Sequence, residues 1–106
     1  MSNLFEDRER GYEAKWAHDE ELHFKIKSLR NARLARWAAN MMKLPPEQVD
    51  RYVKSVLAAG VSERSGDTIF SRIREDFDTN SVFCPDSTIR WKMRQLYSQA
   101  EQELAR

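Results

Sequence analysis

Residues 19–43 read DEELHFKIKSLRNARLARWAANMMK, and this stretch decides the fold class. Its apolar residues recur at steps of three and four, which is the period of an amphipathic helix and not of a strand. They are Leu22, Ile26, Leu29, Leu34, Trp37, Ala38, Met41 and Met42. The double proline at 45–46 ends the pattern, because proline lacks an amide donor and clashes with the preceding turn. The stretch predicts one long helix from about Asp19 to Lys43.

Three shorter helical patterns follow the double proline. The second helix is expected to begin near Glu47 and to close at Gly60 in the left-handed conformation. Asp67 is the expected N-cap of the third helix, and Asp86 opens the fourth after Pro85. The apolar stripe of the second helix is Val49, Tyr52, Val53, Val56 and Leu57, and that of the third is Ile69, Phe70, Ile73 and Phe77. The stripe of the fourth helix is Ile89, Met93, Leu96, Tyr97, Ala100 and Leu104. Only residues 81–83 leave room for a strand, so the sequence predicts an all-α four-helix bundle.

Composition excludes several classes of protein. The chain has 106 residues, 41% of them hydrophobic and 33% charged, which predicts one folded domain and neither a disordered chain nor a membrane protein. The longest run without a polar side chain, residues 56–61, is far shorter than the ~20 residues of a spanning helix. The single cysteine, Cys84, excludes an internal disulfide and fits a reducing compartment, the cytoplasm.

No residue pattern supports catalysis or a metal site. His18 and His23 lie about 140° apart on a helix, which does not suit a two-histidine metal pair. The acidic run 19–21 fans around a helix and lacks the glycine of a calcium loop. Cys84 has no histidine near it in the sequence, and three isolated glycines make no phosphate loop. We therefore predict that the protein is not an enzyme and holds no metal.

The charge changes sign along the first long helix. Residues 6–21 carry seven acidic and three basic side chains, a net charge of −4, whereas residues 25–43 carry six basic side chains and no acid. One interpretation is the helix dipole, which favours acids near an N-terminus and bases toward a C-terminus. A second is that basic residues bind a purine nucleotide; these are Lys27, Arg30, Arg33 and Arg36. A third, nucleic-acid binding, is disfavoured by the overall charge of +1.

The first 18 residues carry a stripe of aromatic side chains. Phe5, Tyr12 and Trp16 are spaced by seven and four residues, so on a helix they share one narrow face among charges. Three aromatics are too few to hold the segment on a small bundle, and Gly11 costs about 1 kcal/mol of helix propensity relative to alanine. The pattern is typical of a mobile segment that becomes helical in a partner's groove. We divide the chain into this segment, 1–18, and a four-helix bundle domain, 19–106.

The run FEDRERGYEAKWAHDEEL at 5–22 closely resembles the signature of the zeta subunit family of the alphaproteobacterial ATP synthase. The resemblance continues at residues 30–31, 34 and 37–39, at 66–67, and at 89–90 with 92–93. Gly11 stands where the family commonly has alanine, and Tyr12 and Trp16 stand where it commonly has phenylalanine. Arg36 replaces a residue that is usually apolar.

The resemblance implies a proteinaceous inhibitor of ATP hydrolysis. Its N-terminal segment would insert into a catalytic alpha/beta interface of the F-type ATP synthase and block rotation in the hydrolysis direction. Phe5, Tyr12 and Trp16 would be the apolar anchors, because buried aromatics usually dominate such interfaces. Charge pairs would fix the register through Arg8, Glu9, Arg10, Glu13 and Lys15.

The implied partners are the alpha, beta and gamma subunits of the catalytic head, without nucleic acid, direct membrane insertion or a required cofactor. The protein is expected to be monomeric when free and cytoplasmic, peripheral to the inner membrane through the ATP synthase. The alternative is a regulatory or assembly subunit of the same complex that binds a purine nucleotide and does not inhibit.

Overall fold

Four helices make up the part of the chain that the structure describes. The computed structural model describes residues 4–61 and 66–105, with the side chains of all of these except 4–10, 12 and 13. The helices are α1 (Leu4–Met41), α2 (Pro46–Gly60), α3 (Asp67–Thr79) and α4 (Asp86–Leu104). Within these ranges no strand forms, and residues 81–83 lie in the connection between α3 and α4. The predicted all-α four-helix bundle is confirmed.

The helix α1 is much longer than the sequence pattern predicted. It begins at Leu4 and not near Asp19, so it takes in most of the first 18 residues, while its end at Met41 agrees with the double proline. The predicted start was wrong because an apolar period marks only the buried part of a helix, and the exposed part of α1 has no such period. Glutamate, arginine, lysine and alanine are strong helix formers and continue the helix beyond its buried part.

The core lies along the C-terminal half of α1. There Ala35, Ala38 and Ala39 are buried, and their small size lets the neighbouring helices approach closely. Trp37 of α1 meets Phe77 of α3 edge to face, with ring centroids 5.6 Å apart. The largest fully buried side chains come from all four helices; they are Leu34, Val56, Ile69, Ile73, Phe77 and Ile89. The predicted stripes of α2, α3 and α4 therefore supply the core, except at Leu104, which is 37% exposed.

Two helices end with a non-glycine residue in the left-handed conformation. Lys43 after α1 has a φ of 57°, and Ser81 after α3 has a φ of 56°. The amide of Leu44 donates to the carbonyl of Ala39 at 3.0 Å, and the amide of Val82 donates to that of Phe77 at 2.8 Å. This is the Schellman pattern, which satisfies carbonyls at a helix end and usually places glycine at the left-handed position.

Two predictions beside the connection between α2 and α3 were wrong, namely the left-handed conformation of Gly60 and the N-cap role of Asp67. Gly60 does not adopt the left-handed conformation. A side chain does not fit at this position, because a Cβ would lie 2.7 Å from Ile69 Cδ1 and 3.1 Å from Asn31 Nδ2. Gly66 is the left-handed residue, with a φ of 82°, and it is the N-cap of α3 in place of Asp67. Asp67 is the first helical residue.

None of the described helices is long and apolar enough to cross a membrane.

Candidate functional site: an exposed helical arm

The N-terminal part of α1 extends beyond the rest of the bundle. The helix α4 ends where Leu104 lines a cavity of about 300 Å³ together with His18 and Leu22 of α1. Ile26 is the first buried residue of α1 among the described side chains. The molecule measures 67 × 28 × 24 Å along its principal axes, and α1 defines the long dimension. We call residues 4–21 of α1 the arm.

The arm presents an exposed aromatic residue. Trp16 is 61% exposed, and Lys15 beside it is exposed as well. The other predicted contact residues lie outside the described side chains, so their roles stay predictions; they are Phe5, Arg8, Glu9, Arg10, Tyr12 and Glu13. Their backbone is part of α1, so the residues that the sequence spaces by seven and four belong to one continuous helix. The one described anchor is therefore accessible to a partner.

The acidic side chains at the base of the arm are solvated. Asp19, Glu20 and Glu21 are all exposed. Glu21 Oε1 pairs with Lys25 Nζ at 3.2 Å, one helical turn away. An exposed pair of this kind contributes little to stability. Across the described residues no three His, Cys, Asp or Glu side chains come together in a way that would hold a metal ion.

The structure separates the four basic residues that the sequence suggested for a nucleotide. Arg33 Nη2 lies 2.6 Å from Glu103 Oε2 of α4, and Arg36 Nη2 lies 3.5 Å from Asp50 Oδ1 of α2. Lys27 and Arg30 instead line a shared cavity of about 230 Å³. Two of the four residues thus meet at one cavity while the other two make ion pairs with different helices. Nucleotide binding stays a prediction.

Sequence reasoning missed a group of arginines that forms where α1 meets α4. Arg30, Arg90 and Arg94 line one cavity of about 280 Å³ with Met93 and Tyr97. We call Arg30, Arg90 and Arg94 the arginine cluster. The only signal in the sequence is the spacing of four between residues 90 and 94, because Arg30 lies far away along the chain.

Two members of the arginine cluster lie over aromatic rings. The guanidinium carbon of Arg30 is 5.8 Å from the ring centroid of Tyr97, and that of Arg90 is 3.9 Å from the centroid of Phe70. Burial lowers the pKa of Arg30, and the nearby Tyr97 acts in the opposite direction. An arginine remains charged at neutral pH under such conditions. The cluster therefore presents fixed positive charge.

Comparison of the sequence with known protein families identifies the family of this chain. No curated protein matches the sequence. The family model described as ATPase inhibitor subunit zeta matches residues 1–103, a range that includes the arm and almost all of the bundle. The match confirms the resemblance seen in residues 5–22. Because it extends over nearly the whole sequence, the chain belongs to the ATPase inhibitor subunit zeta family.

Proposed function

We propose that this protein inhibits ATP hydrolysis by the F-type ATP synthase, and that the arm is the inhibitory element. The observation that carries the proposal is the exposed Trp16 on a helix that continues beyond the bundle. Family membership supplies the target, since the family is one of ATPase inhibitor subunits. In this function the protein acts by occupying a site and not by chemistry of its own.

The dimensions of the molecule support insertion of the arm alone. A single helix with its side chains is about 10–12 Å across, whereas the two short dimensions of the molecule are 28 and 24 Å. A groove that admits one helix therefore excludes the bundle. We infer that the arm enters a catalytic alpha/beta interface up to about His18, where α4 ends beside α1. The bundle then stays outside and limits the depth of insertion.

The residues of the arm suggest how insertion would stop rotation. Trp16, with Phe5 and Tyr12 on the same helix face, would fill apolar pockets and supply most of the binding energy. The charged residues between them would set the register by pairing with the partner. A helix that binds one state of the interface more tightly than the others stabilises that state by the difference in affinity. The catalytic interfaces then cannot pass through the next change of shape, so the gamma subunit is not turned in the hydrolysis direction.

The nucleotide-binding alternative has weaker support from the structure. The cavity beside Lys27 and Arg30 measures about 230 Å³, which is smaller than the roughly 300–1,000 Å³ of most ligand pockets. Arg33 and Arg36 are engaged elsewhere in ion pairs. The exposed arm has no role in that alternative, so we favour inhibition.

Photo-crosslinking from position 16 tests the proposed site. A photoreactive phenylalanine analogue replaces Trp16 in one variant and Trp91, which is 53% exposed on α4, in a control variant. After irradiation with the catalytic head, position 16 should crosslink to alpha and beta subunits, because the arm lies between them. Position 91 should not crosslink to that interface. Crosslinks from position 91 alone would mean that the arm is not the inserted element.

A further inference from the structure

We infer that the arginine cluster is a second docking surface of this protein, and that it receives an acidic segment on the outer surface of the ATP synthase head. The inference rests on the proposed function, since it concerns how the bundle is held once the arm is inserted. It adds a contact that involves α4 as well as α1. The arm and the arginine cluster would then bind one partner together.

The arginine cluster has no acidic partner among the side chains that the structure describes. Arg30, Arg90 and Arg94 line the same cavity. None of them forms an ion pair with a carboxylate of those described side chains. By contrast, Arg33 pairs with Glu103 of α4, and Arg74 pairs with Asp78 of its own helix. A planar guanidinium matches a carboxylate through two parallel hydrogen bonds, so three arginines that line one cavity favour an acidic ligand.

The cluster is oriented before any partner arrives. Arg30 Nε donates a hydrogen bond of 3.0 Å to Asn31 Oδ1, and Asn31 is itself buried. Its guanidinium also lies near the ring of Tyr97, and Arg90 lies over the ring of Phe70. Side chains that are already held lose little conformational freedom on binding, which improves the affinity of a contact. Arg30 and Arg90 are therefore suited to binding a partner.

The cluster is continuous with the exposed anchor of the arm. Trp16, His23 and Arg30 are spaced by seven residues, so they follow one line along α1. Trp16 and His23 are exposed, and the line spans about 21 Å at the rise of an α-helix. A partner surface that holds Trp16 can follow this line to Arg30 and meet Arg90 and Arg94 on α4.

A protein segment fits the cluster better than a nucleic acid does. Nucleic acids are bound by basic side chains that follow a phosphate backbone over many charges. Here three side chains converge on one cavity of about 280 Å³, whose other lining residues are Met93 and Tyr97. A cavity with an apolar wall and converging guanidiniums suits one or two carboxylates beside an apolar side chain. This is the chemistry of an acidic peptide segment.

Charge reversal on α4 tests the inference. The test variant is Arg90→Glu/Arg94→Glu, which changes two exposed residues of α4. The matched control is Arg51→Glu/Lys54→Glu, which changes two exposed residues of α2. Each full-length variant is titrated against the purified head, and the Kd and the half-inhibitory concentration are both measured. We expect the test variant to raise both values roughly tenfold or more and the control to change them less than about twofold. Circular dichroism and thermal unfolding check that both variants are folded.

Salt and a neutral variant sharpen the test. The wild-type Kd should rise between about 50 and 300 mM salt, and the Kd of the test variant should rise less, because it lacks the attraction that salt screens. The variant Arg90→Gln/Arg94→Gln removes charge without reversing it and should show an intermediate loss. It also carries the test if charge reversal disturbs the fold.

Each contrary result has a distinct meaning. An unchanged Kd for both cluster variants, or an equal loss in the α2 control, overturns the docking surface and leaves the function of the arm intact. Sedimentation that shows a wild-type dimer lost in Arg90→Glu/Arg94→Glu assigns the cluster to a second copy, and the inference is then wrong. A wild-type chain that neither binds nor inhibits the head overturns the proposed function itself.

Discussion

The hydroxyl group of Tyr52 donates a hydrogen bond of 2.7 Å to Asp76 Oδ2, and this contact joins α2 to α3. Arg72 Nε donates to the same carboxylate oxygen at 2.8 Å, and Arg72 Nη2 donates to Ser55 Oγ at 2.9 Å. The guanidinium of Arg72 also lies 5.7 Å from the ring centroid of Tyr52. These partly buried polar contacts fix the position of α3 on α2 in addition to the apolar core.

Replacing Tyr52 with phenylalanine should destabilise the bundle. The substitution keeps the ring and removes one hydrogen bond to a charged acceptor, so the free energy of unfolding should fall by about 1–2 kcal/mol. Urea denaturation of the two proteins at neutral pH measures the difference. A Tyr52→Phe variant as stable as the wild type would mean that this hydrogen bond makes no net contribution to the free energy of unfolding.

The same pair of proteins should show a specific pH dependence. Burial raises the pKa of Tyr52, and the hydrogen bond to Asp76 raises it further, because both favour the neutral hydroxyl. A raised pKa in the folded state gives stability that is complete below the unfolded value of about 10 and is lost as the pH rises above it. From neutral pH upward, the stability difference between wild type and Tyr52→Phe should therefore stay constant to about pH 10 and shrink above it. A difference that already shrinks between about pH 7 and 9 would contradict the assignment.

Ser81 offers a stabilising substitution at the end of α3. Its φ of 56° strains any residue with a Cβ, so Ser81→Gly should raise the free energy of unfolding by roughly 0.5–1 kcal/mol. The matched control is Ser98→Gly, since Ser98 is exposed in the middle of α4 and glycine there should cost about as much. Chemical denaturation compares the two. Destabilisation by both substitutions would contradict the left-handed conformation at Ser81.

Gly11 should limit the strength of inhibition. A Cβ at this position meets no heavy atom within 4 Å, so alanine fits and adds about 1 kcal/mol of helix propensity. If the arm must be helical when bound, Gly11→Ala should lower the half-inhibitory concentration by roughly fivefold. Ala14→Gly, on the exposed surface of the same arm, should raise it by a similar factor. Variants that change the helicity of the arm without changing inhibition would show that helix formation is not part of binding.

Trp16 should matter for inhibition and not for folding. Truncation of a buried aromatic anchor commonly costs 2 kcal/mol or more of binding, so Trp16→Ala should raise the half-inhibitory concentration at least about tenfold. The unfolding free energy should change by less than about 0.5 kcal/mol, because Trp16 is 61% exposed. Phe83→Ala removes an aromatic residue that is 95% exposed, lies outside the arginine cluster and serves as the control. Equal effects of the two substitutions on inhibition would contradict the role of Trp16.

The sequence predicted the bundle well where burial determines the pattern. Val49, Val53 and Val56 repeat at helical spacing, and all three are buried as predicted. The start of α1 was missed because an exposed helix has no apolar period to mark it. The role of Gly60 was missed because it depends on Ile69, a residue of another helix whose position only the fold supplies. Local patterns thus predict local structure, and contacts between helices require the structure.

Part of the candidate site could be proposed from the sequence alone, and part could not. Phe5, Tyr12 and Trp16 lie close together in the sequence, so their spacing alone indicated a binding stripe. The arginine cluster combines Arg30 of α1 with two arginines of α4, and no spacing in the sequence links them. The basic stretch of α1 also looked continuous, although Arg33 and Arg36 pair with acids of other helices.

Inhibition by the full-length chain and by a chain lacking residues 1–18 tests the central claim most directly. ATP hydrolysis by the catalytic head is measured while each protein is added, and the unfolding of each protein is followed in parallel. The full-length protein should inhibit, and the shortened protein should not inhibit while it still unfolds cooperatively. Equal inhibition by the folded, shortened protein would contradict the role of the arm.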